Sequence, residues 1–213
     1  MTLTPAELST AWQLQSLLLG YPDDGFAGRL HLVRGAADAI PLTVREPLLA
    51  FAEHAGARPL AELAAEYVET FDQRRRCCLY LTYYAHGDTR QRGVALLKLK
   101  QRYARAGLVL TDEELPDHLA VLLEFAAAGN VPAGQRLLTE HRAGVELLRL
   151  ALTDQASPWQ YVLDSVCATL PPLRGDEREA VARLAAEGPP EEEVGLAPFA
   201  PPEYMPQTMG SRP

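Results

Sequence analysis

At 213 residues, with 47% hydrophobic and 23% charged side chains, the chain is long enough to bury a sizeable core and too apolar to be disordered throughout. A net charge of −8 disfavours nonspecific attachment to phosphate backbones or anionic lipid and favours a basic or neutral partner. Cys77, Cys78 and Cys167 cannot build a disulfide framework, and no window supplies the roughly 18 consecutive apolar residues of a spanning helix. The N-terminus, MTLTPAELSTAWQLQ, has no basic stretch leading into an apolar one. A cytoplasmic protein, neither exported nor inserted into a membrane, is therefore expected.

The apolar set is rich in Ala and Leu, whose unbranched side chains lose little rotamer freedom in helices. The spacing predicts an all-α, single-domain multi-helix bundle. A first helix starts at Thr4-Pro5, carries Leu8, Ala11, Trp12, Gln15, Leu18 and Leu19 on one stripe, and ends at Gly20-Tyr21-Pro22. A second is predicted from about Asp23 to Ala39. A third, bounded or begun by Pro41 and Pro47, carries Leu48, Leu49 and Phe51.

The next stripe is Leu60, Leu63, Ala64, Tyr67, Val68 and Phe71, one face of one helix. Further helices are predicted over about Arg75–Ala85 and Thr89–Ala106. The latter packs Val94, Leu97, Tyr103 and either Leu96 or Leu99, with Gly107 as its cap. A helix over about Leu115–Ala128 carries Leu115, Leu119, Leu122, Leu123 and Ala126 toward the core. Pro116 stands in its first turn, where a missing N–H costs nothing. Two or three more helices are expected between Pro132 and Ala186, broken by Pro158 and by Pro171-Pro172. The helical domain thus covers residues 1–186. Residues 187–213, with seven prolines, five glutamates and one arginine, read as an acidic, disordered C-terminal tail.

The sequence carries few residues in chemically suggestive arrangements. None of the five histidines stands three to five residues from another or near the cysteine pair, so no metal site is expected. Phosphate-binding loops, dinucleotide turns and nucleophile elbows are missing, and neither a cofactor nor catalysis is expected. The run Arg74–Arg76 beside Cys77 and Cys78 could stabilise a thiolate and so leaves a thiol-dependent enzyme as an alternative. Burial of one cysteine in the core and the other at a helix seam is the plainer reading. Between Gln73 and Thr111 nine Lys or Arg face only Asp88, yet no nucleic-acid motif accompanies them, and no nucleic-acid partner is expected.

One segment, LTDEELPDHLAVLLEF from Leu110 to Phe125, is more informative. Besides its core stripe it carries Glu114, His118, Val121 and Phe125 on a second flank, so the helix could both pack on a core and line a groove. Asp117 near the positive end of the helix could serve only to offset its dipole.

Three stretches give a resemblance: Tyr67-Val-Glu-Thr-Phe-Asp72, His86-Gly-Asp-Thr-Arg-Gln-Arg-Gly93, and Glu114-Leu-Pro-Asp-His-Leu119 continuing to Glu124-Phe125. In order and spacing the chain from about Ala6 to Ala185 resembles the nitrate reductase delta-subunit family, the NarJ-type molybdenum cofactor assembly chaperones, within the wider redox-enzyme maturation chaperones. The resemblance implies an all-helical fold and a partner, the catalytic (alpha) subunit of nitrate reductase, bound through a remnant twin-arginine peptide at its N-terminus and through a second region. It implies that the apo-enzyme is held competent for cofactor insertion until assembly. Carried over by position, Asp117 and His118 would belong to the peptide-binding region, with Tyr67, Phe71 and Pro116 shaping or supporting it; Glu114, Val121 and Phe125 join them from the helix flank. A chaperone for another molybdoenzyme, such as a sulfoxide reductase or formate dehydrogenase, is the nearest alternative. A monomer is the expected state.

Overall fold

The computed structural model describes residues 3–110, 114–128 and 130–188. Eleven α-helices account for most of them: α1 (Pro5–Leu19), α2 (Phe26–Ala36), α3 (Leu42–Gly56), α4 (Leu60–Tyr67), α5 (Leu81–His86), α6 (Arg90–Arg105), α7 (Leu119–Ala128), α8 (Val131–Glu140), α9 (Arg142–Asp154), α10 (Gln160–Ala168) and α11 (Gly175–Glu187). The protein is an all-α bundle. Among the described residues the only β-type pairing is an isolated antiparallel bridge between Tyr80 and His118.

α1 forms the centre. Thr4 caps it, its hydroxyl accepting from the Glu7 amide while the Glu7 carboxylate accepts from the Thr4 amide, a reciprocal cap that satisfies two otherwise orphaned donors. Leu8, Ala11, Trp12, Leu14, Leu18 and Leu19 are all buried, because α7, α2 and α10 pack around the helix. Two of its side chains donate inside the core, Trp12 Nε1 to Thr169 Oγ1 at 3.0 Å and Gln15 Nε2 to Ser165 Oγ at 2.9 Å. Such pairing avoids the cost of about 1–3 kcal/mol for an unsatisfied buried group.

The end of α1 is tied by aromatic side chains. Trp159 Nε1 donates to the Leu18 carbonyl at 3.3 Å and the Tyr67 hydroxyl to the Leu19 carbonyl at 3.1 Å, satisfying carbonyls that a helix terminus leaves free. Tyr67 in turn packs on Phe71 (4.7 Å between centroids) and Trp159 (5.6 Å), and Phe51 on Trp159 (5.2 Å). Pairs of this kind add about 0.5–1.5 kcal/mol each beyond simple burial.

Several boundaries differ from those predicted. The second helix starts at Phe26 and passes into a 3₁₀ turn, Ala37–Ala39. The stripe ending at Phe71 is not one helix: α4 stops at Tyr67 and a π-turn, Val68–Asp72, follows. The segment after Arg75 is a 3₁₀ turn, Arg75–Cys77, then extended chain to Tyr80, then α5, since backbone pairing with the Asp117–Leu119 segment competes with helix there. α7 begins at Leu119 rather than Leu115, which leaves Pro116 in the preceding turn and Leu115 exposed. Four helices, not two or three, follow Asn130, with Pro158 and Pro171-Pro172 in the breaks.

On α6, Leu99 and Tyr103 are buried as expected, but Val94 and Leu97 are 54% and 57% exposed. Gly107 follows this helix at φ +79°, the left-handed cap that glycine adopts without strain. α8 lies so close to α7 that a Cβ on Gly134 would stand 2.5 Å from Ala126 Cα. α11 runs to Glu187, one residue past the expected domain end. The tail expected beyond it falls, from Pro189 onward, outside the described residues. No helix among them is long and apolar enough to cross a membrane.

Candidate functional site

An open groove of about 560 Å³ runs between α1, the π-turn, the extended segment before α5 and the outer side of α7. Its apolar surface comes from Leu17, Tyr67, Phe71, Leu79 and Val121, and its rim from Tyr21, Tyr80, Asp72, Glu114, His118 and Glu124. Five of the residues expected at a site therefore meet here: Tyr67, Phe71, Glu114, His118 and Val121. The π-turn supplies part of the geometry. Its widened ring stacks Phe71 on Tyr67 and places Asp72 at the groove; single π-turns recur where a helix must redirect a side chain.

His118 is 5% exposed. Its Nδ1 accepts from the Ala120 amide at 3.2 Å, so the neutral ring carries its proton on Nε2, which lies 4.0 Å from Glu114 Oε2. Tyr80 meets the ring edge to face at 5.4 Å and donates its hydroxyl to Glu114 Oε1 at 2.9 Å. Burial pushes the His118 pKa below its ordinary value, against the opposing pull of Glu114, Asp117 and Asp72. Burial likewise raises Tyr67 and Tyr80 far above the usual phenol range, and both stay protonated donors.

The groove is acidic. Asp72, Glu114 and Glu124 line it against one cation, Arg29, whose guanidinium is already held by Asp23 at 3.2 Å and by the Tyr21 carbonyl at 2.6 Å. Neither Asp72 nor Glu124 has an ion-pair partner among the described residues. A neutral imidazole, aromatic floor and unbalanced carboxylates suit a cationic, partly apolar polypeptide segment rather than a bond-making reaction.

Three expected site residues lie elsewhere. Asp117 is 0% exposed and points away from the groove, its Oδ2 accepting from Thr82 Oγ1 at 2.5 Å and standing 3.6 Å from Arg92. Pro116 is buried beneath, where its carbonyl accepts from the Tyr103 hydroxyl at 2.7 Å. Phe125 is buried against Tyr103 at 4.5 Å and lines a second hollow of about 190 Å³ with Leu108, Val109 and Leu110; Glu114, Val121 and Glu124 form the wall it shares with the groove. The turn that holds Pro116 and Asp117 behind His118 is fixed by hydrogen bonds from the Leu81 amide to the Asp117 carbonyl and from the Leu119 amide to the Leu79 carbonyl, and Phe125 lies one face further round α7. Tyr80, Asp72 and Tyr21 were not anticipated at the site. Asp72 ends the Tyr67–Asp72 stretch and could have been taken with it; Tyr80 carries no sequence signal, since a chain reversal brings it to His118.

The cysteines lie off the groove. Cys77 is buried and Cys78 half-buried. Burial raises both thiols despite Arg74 beside Cys77 and Arg92 beside Cys78, and it pushes Cys167 up to about 11. Arg74 is engaged by Glu69 and Gln155, so the arginine run does not activate a thiolate. No His, Cys, Asp or Glu cluster able to hold a metal ion occurs among the described residues.

Residues 37–163 match the family described as nitrate reductase delta subunit. The chain is 41% identical over 163 residues to the nitrate reductase-like protein NarX of Mycobacterium tuberculosis (strain ATCC 25618 / H37Rv), covering 74% of this chain but 24% of NarX. It thus spans about a quarter of that relative's length. It is 34% identical over 156 residues to a Bacillus subtilis (strain 168) protein described as a nitrate reductase molybdenum cofactor assembly chaperone, NarJ, covering 73% of this chain and 85% of that one. A crystal structure from Archaeoglobus fulgidus, described as a redox enzyme maturation protein, shares the fold with a TM-score of 0.53 at 21% identity, covering 83% of this chain and 93% of that one. The acidic groove therefore sits in a helical fold shared with the Archaeoglobus fulgidus protein, and the chain belongs to the nitrate reductase delta subunit family.

Proposed function

We propose that this protein is a non-catalytic chaperone that binds the N-terminal peptide of the apo catalytic subunit of nitrate reductase, in the cytoplasm, and so supports insertion of the client's molybdenum cofactor and assembly of the enzyme. The observation that carries this reading is the convergence of Tyr67, Phe71 and Val121 with Asp72, Glu114 and Glu124 on one open groove. Apolar anchors of the peptide would rest on the aromatic floor while an arginine meets the carboxylates, a charge-assisted contact with geometry that lysine reproduces less well. His118 would present its Nε2–H to a peptide carbonyl. Asp117 and Pro116 would act from behind, holding the Tyr80–His118 bridge in place, and Phe125 would support the wall of α7.

Calorimetric titration tests the reading. The N-terminal peptide of the nitrate reductase catalytic subunit is expected to bind at least tenfold more tightly than the same peptide with its arginines replaced by glutamine. It should also exceed the corresponding peptides of a sulfoxide reductase and a formate dehydrogenase. Equal binding of all three clients, or none of the nitrate reductase peptide, overturns the client assignment.

A further inference from the structure

A second hollow of about 190 Å³ opens beyond the groove, on the other flank of α7. Ala120 lines the groove and Phe125 the hollow, and at 3.6 residues per turn the two stand about 140° apart round the helix. Val121 and Glu124, which lie between them on the helix surface, line both spaces, and so does Glu114 from the preceding turn. Each space has an aromatic floor: Tyr67 on Phe71 in the groove, Tyr103 on Phe125 in the hollow. The Tyr103 hydroxyl is taken by the Pro116 carbonyl, so the polar side chains left to the hollow are Glu114 and Glu124. Leu108, Val109 and Leu110 close its other side. Val109 is 94% exposed and Leu115, beside Glu114, 41%; exposed apolar surface rimmed by polar groups marks an interaction site.

The occupant follows from what the two spaces share. A lone cation on the Glu114–Glu124 divide leaves both apolar spaces open, and an apolar segment without a cation covers two carboxylates and leaves them unpaired, which is costly. Glu114 Oε1 accepts from the Tyr80 hydroxyl and the Leu115 amide, while Oε2 faces the neutral His118 ring at 4.0 Å, on the side from which a guanidinium approaches. We infer that the client segment crosses α7, with an arginine on the Glu114–Glu124 divide, one apolar residue on the Tyr67–Phe71 floor and a second, on the other side of the arginine, over Phe125 and against Val109. A helix with its side chains is about 10 Å across, which about three extended residues span, so the two anchors stand about three or four positions apart with the arginine between them. The inference rests on the peptide-binding reading of the groove and adds to it a sequence requirement, apolar residues both before and after the arginine.

Photocrosslinking tests the crossing, with the N-terminal peptide of the nitrate reductase catalytic subunit as probe and the full chain carrying benzoylphenylalanine in place of Val109, Tyr21 or Leu150. Tyr21 is exposed at the groove, and Leu150, on α9, lines neither space. The substitutions at Val109 and at Tyr21 are both expected to capture the peptide, at residues on opposite sides of one arginine, and the one at Leu150 to give less than about a tenth of their yield. By calorimetry, Val109→Asn should weaken binding at least fivefold with an unchanged circular dichroism spectrum. That loss should vanish against a peptide in which the residue captured from position 109 is replaced by serine, because a contact already removed from one side cannot be lost from the other. Capture from position 21 alone, or parental affinity in Val109→Asn, overturns the crossing and leaves the groove reading in place. Crosslinks from position 109 that reach only the protein's own chain at saturating peptide overturn it in the same way. A peptide that is captured from neither position and gives no heat of binding overturns both readings.

Discussion

Asp117 accepts a hydrogen bond from the Thr82 hydroxyl at 2.5 Å inside the protein, while its neighbour His118 turns its ring to Tyr80 and the groove. Two adjacent polar residues thus serve different ends. The Leu81 amide donates to the Asp117 carbonyl at 3.0 Å and the Leu119 amide to the Leu79 carbonyl at 2.9 Å, fixing the chain so that the two side chains cannot exchange places.

Removing the Asp117 carboxylate leaves the Thr82 hydroxyl without its acceptor and Arg92 without its buried counter-charge. Asp117→Ala is expected to destabilise the fold by about 3 kcal/mol, lowering Tm by about 6–12 °C for a domain of this size. The measurement is thermal unfolding by circular dichroism. His118→Ala, by contrast, should weaken peptide binding with a much smaller change in Tm. An Asp117→Ala protein that melts normally but fails to bind peptide would put Asp117 back at the binding surface.

Glu124 is an exposed carboxylate on the groove wall with no ion-pair partner among the described residues. Glu124→Lys is expected to weaken binding of an arginine-bearing peptide about tenfold or more and to leave Tm within about 1 °C. Glu114→Gln should weaken it less, since the amide oxygen still accepts from Tyr80 and from the Leu115 amide. Calorimetry at two salt concentrations separates the charge contribution from lost packing, because only the former is screened.

Acid should loosen the protein before its carboxylates protonate. Burial lowers the pKa of His118, faced by Glu114, Asp117, Asp72 and Tyr80, and of His141, faced by Glu140, Asp117, Arg102 and His86. Each ring takes a proton more readily in the unfolded chain, whose ordinary value is 6.5, so unfolding takes up protons as pH falls through that value. Stability is fully present above about 6.5 and is lost progressively below it, toward the depressed folded values. Tm measured from pH 7.5 to 5.0 should decline, and the decline should flatten in His118→Gln with His141→Gln. A flat profile in the parent protein would contradict the assigned burial.

Raised thiol pKa values predict slow chemistry at the cysteines. Alkylation of Cys77, Cys78 and Cys167 by iodoacetamide at pH 7 should be slower than that of a free thiol, and rates should still be climbing above pH 9. Replacing Cys78 by serine should leave peptide binding unchanged. Fast alkylation at neutral pH would revive the thiol-enzyme alternative.

The one-dimensional pattern was enough for helices whose whole neighbourhood is local. Thr4 and Gly20 bound α1 as expected, and Leu119, Leu122, Leu123 and Ala126 occupy the core stripe of α7. It also placed Tyr67, Phe71, Glu114, His118 and Val121 at one candidate site, because the stretches that carry the family resemblance contain or adjoin them. It failed where a partner distant in sequence competes with the helix. Backbone pairing of Leu79–Leu81 with Asp117–Leu119 dissolves one predicted helix and shortens another. That same pairing buries Asp117 and brings Tyr80 beside His118.

Helical periodicity says which residues share a face, and it says so for Val94 and Leu97 as clearly as for Leu99 and Tyr103. Which face meets another element is decided only when the chain folds, and on α6 it is the Leu99–Tyr103 side that packs inward. Sequence alone therefore determined that this protein is a helical bundle with an acidic, aromatic-bearing candidate surface. The three-dimensional packing decided which carboxylates remain on that surface and which are buried beneath it, because burial and hydrogen-bond partners come from contacts between residues far apart in sequence, such as Thr82 and Asp117, 35 positions apart.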